Sequence, residues 1–203
     1  MIELYSGTPG SGKSLYCAYE IIRLLNKGRN VIANFPIDMD YFKNKKGKSS
    51  VLLRKFIYAN NQELTVQFLK QYAKCWHAPF KEHQTTIIID ECASIFNSRS
   101  WDAKDRMEWI YFFQQHRKLG YDVILISQND RLIDRQIRAF IETEYKHRAL
   151  KNYKTFGLLL STITGGLFVR VEYWYGMRIK CSSEFFRLHR KKAKIYDTYK
   201  LFE

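Results

Sequence analysis

Gly7-Thr8-Pro9-Gly10-Ser11-Gly12-Lys13-Ser14 follows directly on the apolar run Ile2-Glu3-Leu4-Tyr5 and leads into Leu15 to Leu25, whose apolar residues recur at helical spacing. A strand, a glycine-rich turn and a helix in that order make a Walker A phosphate loop, Gly-x-x-x-x-Gly-Lys-Ser. Its glycines let successive backbone N–H groups point inward around a phosphate, which side chains would prevent. The helix adds its positive end. Lys13 is expected to bridge β- and γ-phosphates, and the Ser14 hydroxyl to hold Mg²⁺. Gly7, Thr8, Pro9, Gly10, Ser11, Gly12, Lys13, Ser14 and Leu15 are therefore the expected contacts of an ATP molecule with its Mg²⁺.

Such a loop needs a carboxylate at the end of a buried strand. Thr85-Thr86-Ile87-Ile88-Ile89 is a continuous apolar run of the kind buried on both faces, and Asp90-Glu91 ends it. Two acids after isoleucines suit a plain strand end equally well when read alone; the loop upstream favours the functional reading. Asp90 is expected to reach Mg²⁺ through water, and Glu91 to polarise the attacking water. An acid beside the aspartate marks hydrolases, in which a further strand lies between these two and ends in a γ-phosphate sensor. Val123 to Ile126, followed by Ser127-Gln128, fits that strand, with Gln128 as sensor. A neighbouring subunit commonly supplies an arginine to such a site. Arg138 is the first candidate and Arg117 the second, with Arg99, Arg131 and Arg135 also possible.

Outward from these motifs, strands alternate with helices to about residue 145. Asn30 to Phe35 and Val51 to Tyr58 read as strands, and Glu63 to Trp76 as a helix. Asp102 can cap a helix to about Leu119 that Gly120 ends, and Leu132 to Ile141 reads as helical. This order predicts an α/β domain with a mainly parallel sheet. Beyond Tyr145, Leu167 to Tyr175 alternates and Met177 to Cys181 can pair with it through Gly176. The expected division is a P-loop core at 1–145 and a basic, β-rich extension of the same domain at 146–203.

At 203 residues and 46% hydrophobic, the chain suits one domain with a real core, and its formal charge of +14 favours polyanionic partners. Arg148 to Glu203 holds twelve Lys/Arg against four Asp/Glu, +8 of that total. Lys43, Lys45, Lys46, Lys48, Arg54 and Lys55 form a second basic stretch. Tyr145, Tyr153, Phe156, Tyr173, Trp174, Tyr175, Phe185 and Phe186 interleave with the C-terminal charge, which suits single-stranded nucleic acid. Core packing is the better expectation for any one of these rings. His189-Arg190-Lys191-Lys192-Ala193-Lys194 equally suits an anionic lipid surface. Cys17, Cys75, Cys92 and Cys181 lack metal-ligand spacing and read as reduced thiols. With a strand expected at the N-terminus, no signal peptide is expected before it, and Phe156 to Val169 is too short and polar to span a bilayer.

The chain resembles the N-terminal ATPase domain of the zonula occludens toxin (Zot) family, which includes assembly ATPases of filamentous bacteriophages. The resemblance rests on Tyr5-x-Gly7 through Leu15, Gly28-Arg29-x-Val31-Ile32-Ala33-Asn34-Phe35-Pro36, and Ile88-Ile89-Asp90-Glu91-Cys92 with Arg99. It extends to His116-Arg117-x-x-Gly120-Tyr121-Asp122-Val123 with Ser127-Gln128, then Ile133-Asp134-x-x-Ile137-Arg138 and Tyr196-Asp197-Thr198. It implies a RecA-like fold related to FtsK/HerA-type pumps and an ATP-driven motor working as a ring, a hexamer by expectation. The implied task is exporting a phage genome as single-stranded DNA during virion assembly, on the cytoplasmic face of the inner membrane beside membrane assembly proteins. No small-molecule substrate beyond ATP is expected. A double-stranded DNA packaging or conjugation ATPase, and a nucleotide-dependent assembly scaffold, are the alternatives. Relatives commonly continue into a transmembrane helix, and Ser127 stands where many have Thr.

Overall fold

In the computed structural model of this chain the described residues are 1–43, 55–99, 105–152 and 165–196. Lys45, Lys46, Lys48, Arg54, the expected cap Asp102, Tyr153, Phe156 and Asp197-Thr198 lie outside them, as does most of the 156–169 run.

Among the described residues one sheet of eight strands runs in the order β3-β2-β4-β5-β1-β6-β7-β8. The strands β1 (Ile2–Ser6), β2 (Asn30–Ala33), β3 (Phe56–Tyr58), β4 (Thr85–Ile89), β5 (Tyr121–Ser127) and β6 (Thr143–Ala149) are parallel. β5 lies between β1 and β4, the insertion expected of the hydrolases: Leu4 pairs with Leu125, and Ile87 with Val123. The antiparallel hairpin of β7 (Leu167–Trp174) and β8 (Ile179–Arg187) continues the sheet beyond β6.

The pleat divides the central strands between two cores. Leu4, Ile87, Ile89, Val123 and Leu125 face α3 (Val66–Trp76), α4 (Arg106–Gln115) and α5 (Arg135–Arg138). Tyr5, Ile88, Ile124 and Ile126 face α1 (Lys13–Asn26), and the short α2 (Asp40–Lys43) follows β2. Burial on both sides explains why β4 reads as an unbroken apolar run. Gly28 closes α1 as expected, its N–H bonded to the Leu25 carbonyl at 2.9 Å. Thr65 caps α3 by accepting from the Phe68 N–H at 3.1 Å.

Two expectations need correction. The helix expected over Leu132 to Ile141 shrinks to a 3₁₀ turn at Asp130–Leu132 and the short α5. Asn129 accepts from the Arg131 N–H and Asp134 from the Gln136 N–H, so two caps five residues apart each start a new turn. Between them Ile133 is extended and bridges to Asn97. The second strand stops at Ala33 rather than Phe35, because the Asn34 side chain is drawn to the end of β4.

Beyond β8 the chain forms a strap that returns over α1. The Tyr19 hydroxyl donates to the Arg187 carbonyl at 2.6 Å and accepts from the His189 N–H at 2.8 Å. The strap's short helix α6 (Arg190–Ala193) packs on α1, with the Lys192 ammonium over the Tyr19 ring. Ile195 is fully buried beside Phe35 and Ile37, and its carbonyl accepts from the Asp38 N–H at 2.8 Å. Tyr196 follows, below the end of β4.

Candidate nucleotide site

The loop between β1 and α1 is shaped by backbone that only glycine accepts readily. Gly7 has φ +145°, and a Cβ there would lie 2.4 Å from the His147 carbonyl oxygen. Gly12 has φ +93°, and its Cβ would lie 2.7 Å from the Phe168 ring. The loop therefore rests on β6 and β7, and the far half of the sheet is its floor. Its position relative to β5 is fixed by the Gly7 N–H, which donates to the Gln128 carbonyl at 3.4 Å. His147 in that floor is 1% exposed, and its Nδ1 donates to the Tyr145 carbonyl at 3.0 Å. Burial pushes its pKa down to about 3, with the charges of Arg170 and Lys13 acting the same way.

Lys13 turns back into the loop, its Nζ donating to the carbonyls of Gly7 at 2.7 Å and Thr8 at 3.2 Å. Burial lowers its pKa, and the carboxylates of Asp90 and Glu91 act against that fall. Lys13 at the start of α1 and Asp90 and Glu91 just after β4 thus share one electrostatic neighbourhood. Ser14 sits in the first turn of α1 beside Lys13.

Asp90 is 6% exposed, and its carboxylate is held on both oxygens. The Glu91 N–H donates to Oδ1 at 2.8 Å, and the Tyr196 hydroxyl donates to Oδ2. Burial raises the Asp90 pKa, while these two donors and the Lys13 charge favour the ionised form. Its backbone is clamped by Asn34, whose Oδ1 accepts from the Asp90 N–H at 2.7 Å and whose Nδ2 donates to the Asp90 carbonyl at 2.9 Å. Glu91 is exposed and has left-handed backbone, φ 44° and ψ 44°. Gln128 is exposed at the end of β5, next to the buried Ser127.

The arginine candidates scatter. Arg138 is half-buried, 4.0 Å from the Asp130 carboxylate that Arg178 also approaches at 3.8 Å. Arg117 forms a two-pronged pair with Glu82 before the start of β5. That is the opposite end of the strands from the loop. Arg99, Arg131 and Arg135 are exposed, and among the described residues none forms an ion pair.

These residues fit a nucleotide phosphate with a divalent cation. The loop has no room for side chains at Gly7 and Gly12, its cation is buried beside two acids, and Asp90 is held with its lone pairs only partly used. Asn34, Tyr196, His147 and Phe168 complete the arrangement without a role in the motif reading. Asn34 and Tyr196 do fall within the segments that carry the family resemblance. His147 and Phe168 have no local signal.

The C-terminal charge is displayed as a surface. Arg178, Lys180, Arg187, Arg190, Lys191 and Lys194 are exposed, together with Trp174 and Phe185. Other rings serve packing: Phe186 is buried, stacked on Phe168, and Tyr145 packs on Tyr5 under the Arg170 guanidinium. Tyr173 lies under the Lys146 ammonium, and Tyr175 donates to Asp130. No helix among the described residues is long and apolar enough to cross a membrane.

The sequence model of the family described as Zonular occludens toxin (Zot) matches residues 1–192. The Gene 1 protein of Enterobacteria phage I2-2 is 32% identical over 168 residues, covering 81% of this chain and 45% of that protein. The chain thus spans less than half the length of this relative. Among solved structures, the N-terminal domain of zonular occludens toxin from Neisseria meningitidis superposes with TM-score 0.56 at 19% identity, over 97% of this chain and 98% of that one. The genome packaging NTPase B204 of Sulfolobus turreted icosahedral virus 2 superposes with TM-score 0.57 at 16% identity, over 89% and 94%. At these identities the structural likeness concerns the P-loop NTPase fold.

Proposed function

The chain belongs to the Zot family, and from that premise and its phosphate site we propose that it is an ATP-hydrolysing motor for virion assembly. In this reading it works as a homo-oligomeric ring, a hexamer, and moves a phage genome as single-stranded DNA. It does so on the cytoplasmic face of the bacterial inner membrane, together with membrane assembly proteins. The observation that carries the catalytic part is the parallel strand order β4-β5-β1, which sets the loop bearing Lys13 and the Asp90-Glu91 turn at the same ends of their strands. The exposed basic hairpin and strap, with Trp174 and Phe185 among the cations, support the nucleic-acid part.

Each residue then has a task. Backbone N–H groups of Gly10, Gly12, Lys13 and Ser14, at the start of α1, hold the phosphates, and Lys13 leaves the loop carbonyls to bridge β- and γ-oxygens. Ser14 and Asp90 would hold Mg²⁺, which neutralises developing phosphate charge when bound. Glu91 takes a proton from the attacking water, Gln128 senses the γ-phosphate, and Arg138 of an adjacent subunit stabilises the transition state.

ATP turnover measured against protein concentration, with and without single-stranded DNA, tests the proposal, with Lys13→Ala as the blank. Turnover per chain should rise with concentration, increase with single-stranded DNA and vanish in Lys13→Ala together with nucleotide binding. Stimulation by double-stranded DNA alone would favour a packaging motor. Hydrolysis indifferent to any DNA would favour the scaffold, and ATP binding undiminished in Lys13→Ala would remove the phosphate site.

A further inference from the structure

The strap after β8 crosses α1 and ends with a hydroxyl on the one carboxylate assigned to the cation. Tyr196 is 7% exposed, and its ring packs on Phe35 at 4.2 Å between centroids. Its position is set from two sides, by that ring contact and by Ile195, which is fully buried and held by the Asp38 N–H. A buried tyrosine hydroxyl needs a partner, and here the partner is Asp90 Oδ2.

A carboxylate held by one donor can still turn about its Cβ–Cγ bond. With the Glu91 N–H on Oδ1 and Tyr196 on Oδ2, the Asp90 carboxylate plane is fixed, and each oxygen keeps a lone pair for a further partner. The first donor is local and always present. The second arrives from the far edge of the sheet, and it arrives only when the strap is docked.

We propose that Tyr196 is a positioning residue for Asp90, so that cation binding at the nucleotide site depends on docking of the strap over α1. This rests on the assignment of Asp90 to Mg²⁺ given above. The linkage is reciprocal: a bound cation and nucleotide must tighten the strap by the same factor that the strap improves cation binding.

The test uses the whole chain and a fluorescent ATP analogue, titrated in EDTA and across a range of Mg²⁺ concentrations. In Tyr196→Phe the affinity in EDTA should stay within about twofold of wild type. The Mg²⁺ concentration for half-maximal effect should rise by about tenfold, the scale of one hydrogen bond to a charged group. Trypsin supplies a readout independent of turnover, since Lys191, Lys192 and Lys194 lie in the strap. Cleavage there should be slower with Mg²⁺ and nucleotide than with nucleotide in EDTA, and this difference should shrink in Tyr196→Phe. Ile195→Ala loosens the strap while keeping the hydroxyl, and should shift the Mg²⁺ requirement in the same direction. It carries the test alone if Tyr196→Phe fails to fold. Wild-type Mg²⁺ dependence in both variants overturns the proposal, as does an equal loss of affinity in EDTA and in Mg²⁺. Absence of nucleotide binding by wild-type protein in both media would instead sink the phosphate-site reading on which it rests.

Discussion

Glu91 occupies left-handed backbone, which costs a non-glycine residue about 1–2 kcal/mol. The strain falls on the residue assigned to activate water, where a required side-chain direction can outweigh a backbone preference. Glu91→Gln should leave nucleotide affinity within a fewfold of wild type while cutting turnover by about 100-fold or more, read by binding and single-turnover assays. Wild-type turnover in that variant would remove Glu91 from the mechanism. Glu91→Gly should lose turnover equally and gain about 1 kcal/mol of stability in urea unfolding. At this scale the candidate site is legible in sequence, because Lys13, Ser14, Asp90 and Glu91, the residues assigned to phosphate, cation and water, stand in recognisable local order. It was silent on His147 and Phe168, whose contact with the loop is made across the sheet. Asn34 and Tyr196 could be matched to a family, yet nothing local shows that both close on Asp90.

The phosphate loop is as much a product of β6 and β7 as of β1. Gly12→Ala combines an unfavourable φ with a clash against Phe168 and should destabilise the domain by about 2 kcal/mol or more. Phe168→Ala removes the obstacle, so the double variant should lose distinctly less than the two single losses summed. Strict additivity in a denaturant double-mutant cycle would show that the loop does not lean on β7. The parallel strands were legible because double burial leaves them unbroken apolar runs. The break at Ile133 was not, because apolar spacing continues through it while Asn129 and Asp134 cap the backbone on either side. The strap was least legible of all. A stretch as basic as His189 to Lys194 reads as a contact for nucleic acid or anionic lipid, yet it leads into the fully buried Ile195.

For the whole molecule, the sheet places the phosphate loop at the finishing ends of its parallel strands, and Arg117 lies at their starting ends. Arg138 has its own constraint, since it must leave Asp130 to serve a neighbour. Arg138→Ala should therefore lower turnover by about tenfold or more with ATP binding intact. Mixing it with Glu91→Gln protein should restore part of the rate, because some interfaces then combine an intact Glu91 with an intact Arg138. Full turnover in a demonstrably monomeric sample would exclude a finger from a neighbour. Loss confined to Arg117→Ala would keep the ring and reassign the residue.

The clasp of Lys13 on the carbonyls of Gly7 and Thr8 bears on nucleotide exchange. A buried ammonium abandoned by departing product would be a stranded charge, and departure would be slow on that account. Here the loop's own carbonyls partner the ammonium, so on the proposed reading a departing phosphate would leave no orphaned cation. If Lys13 bridges the phosphates of ATP as proposed, those two bonds would have to be surrendered, which would weaken binding at equilibrium. The proposed motor would gain from that exchange, since the pace of a cycle depends on letting go as well as on holding.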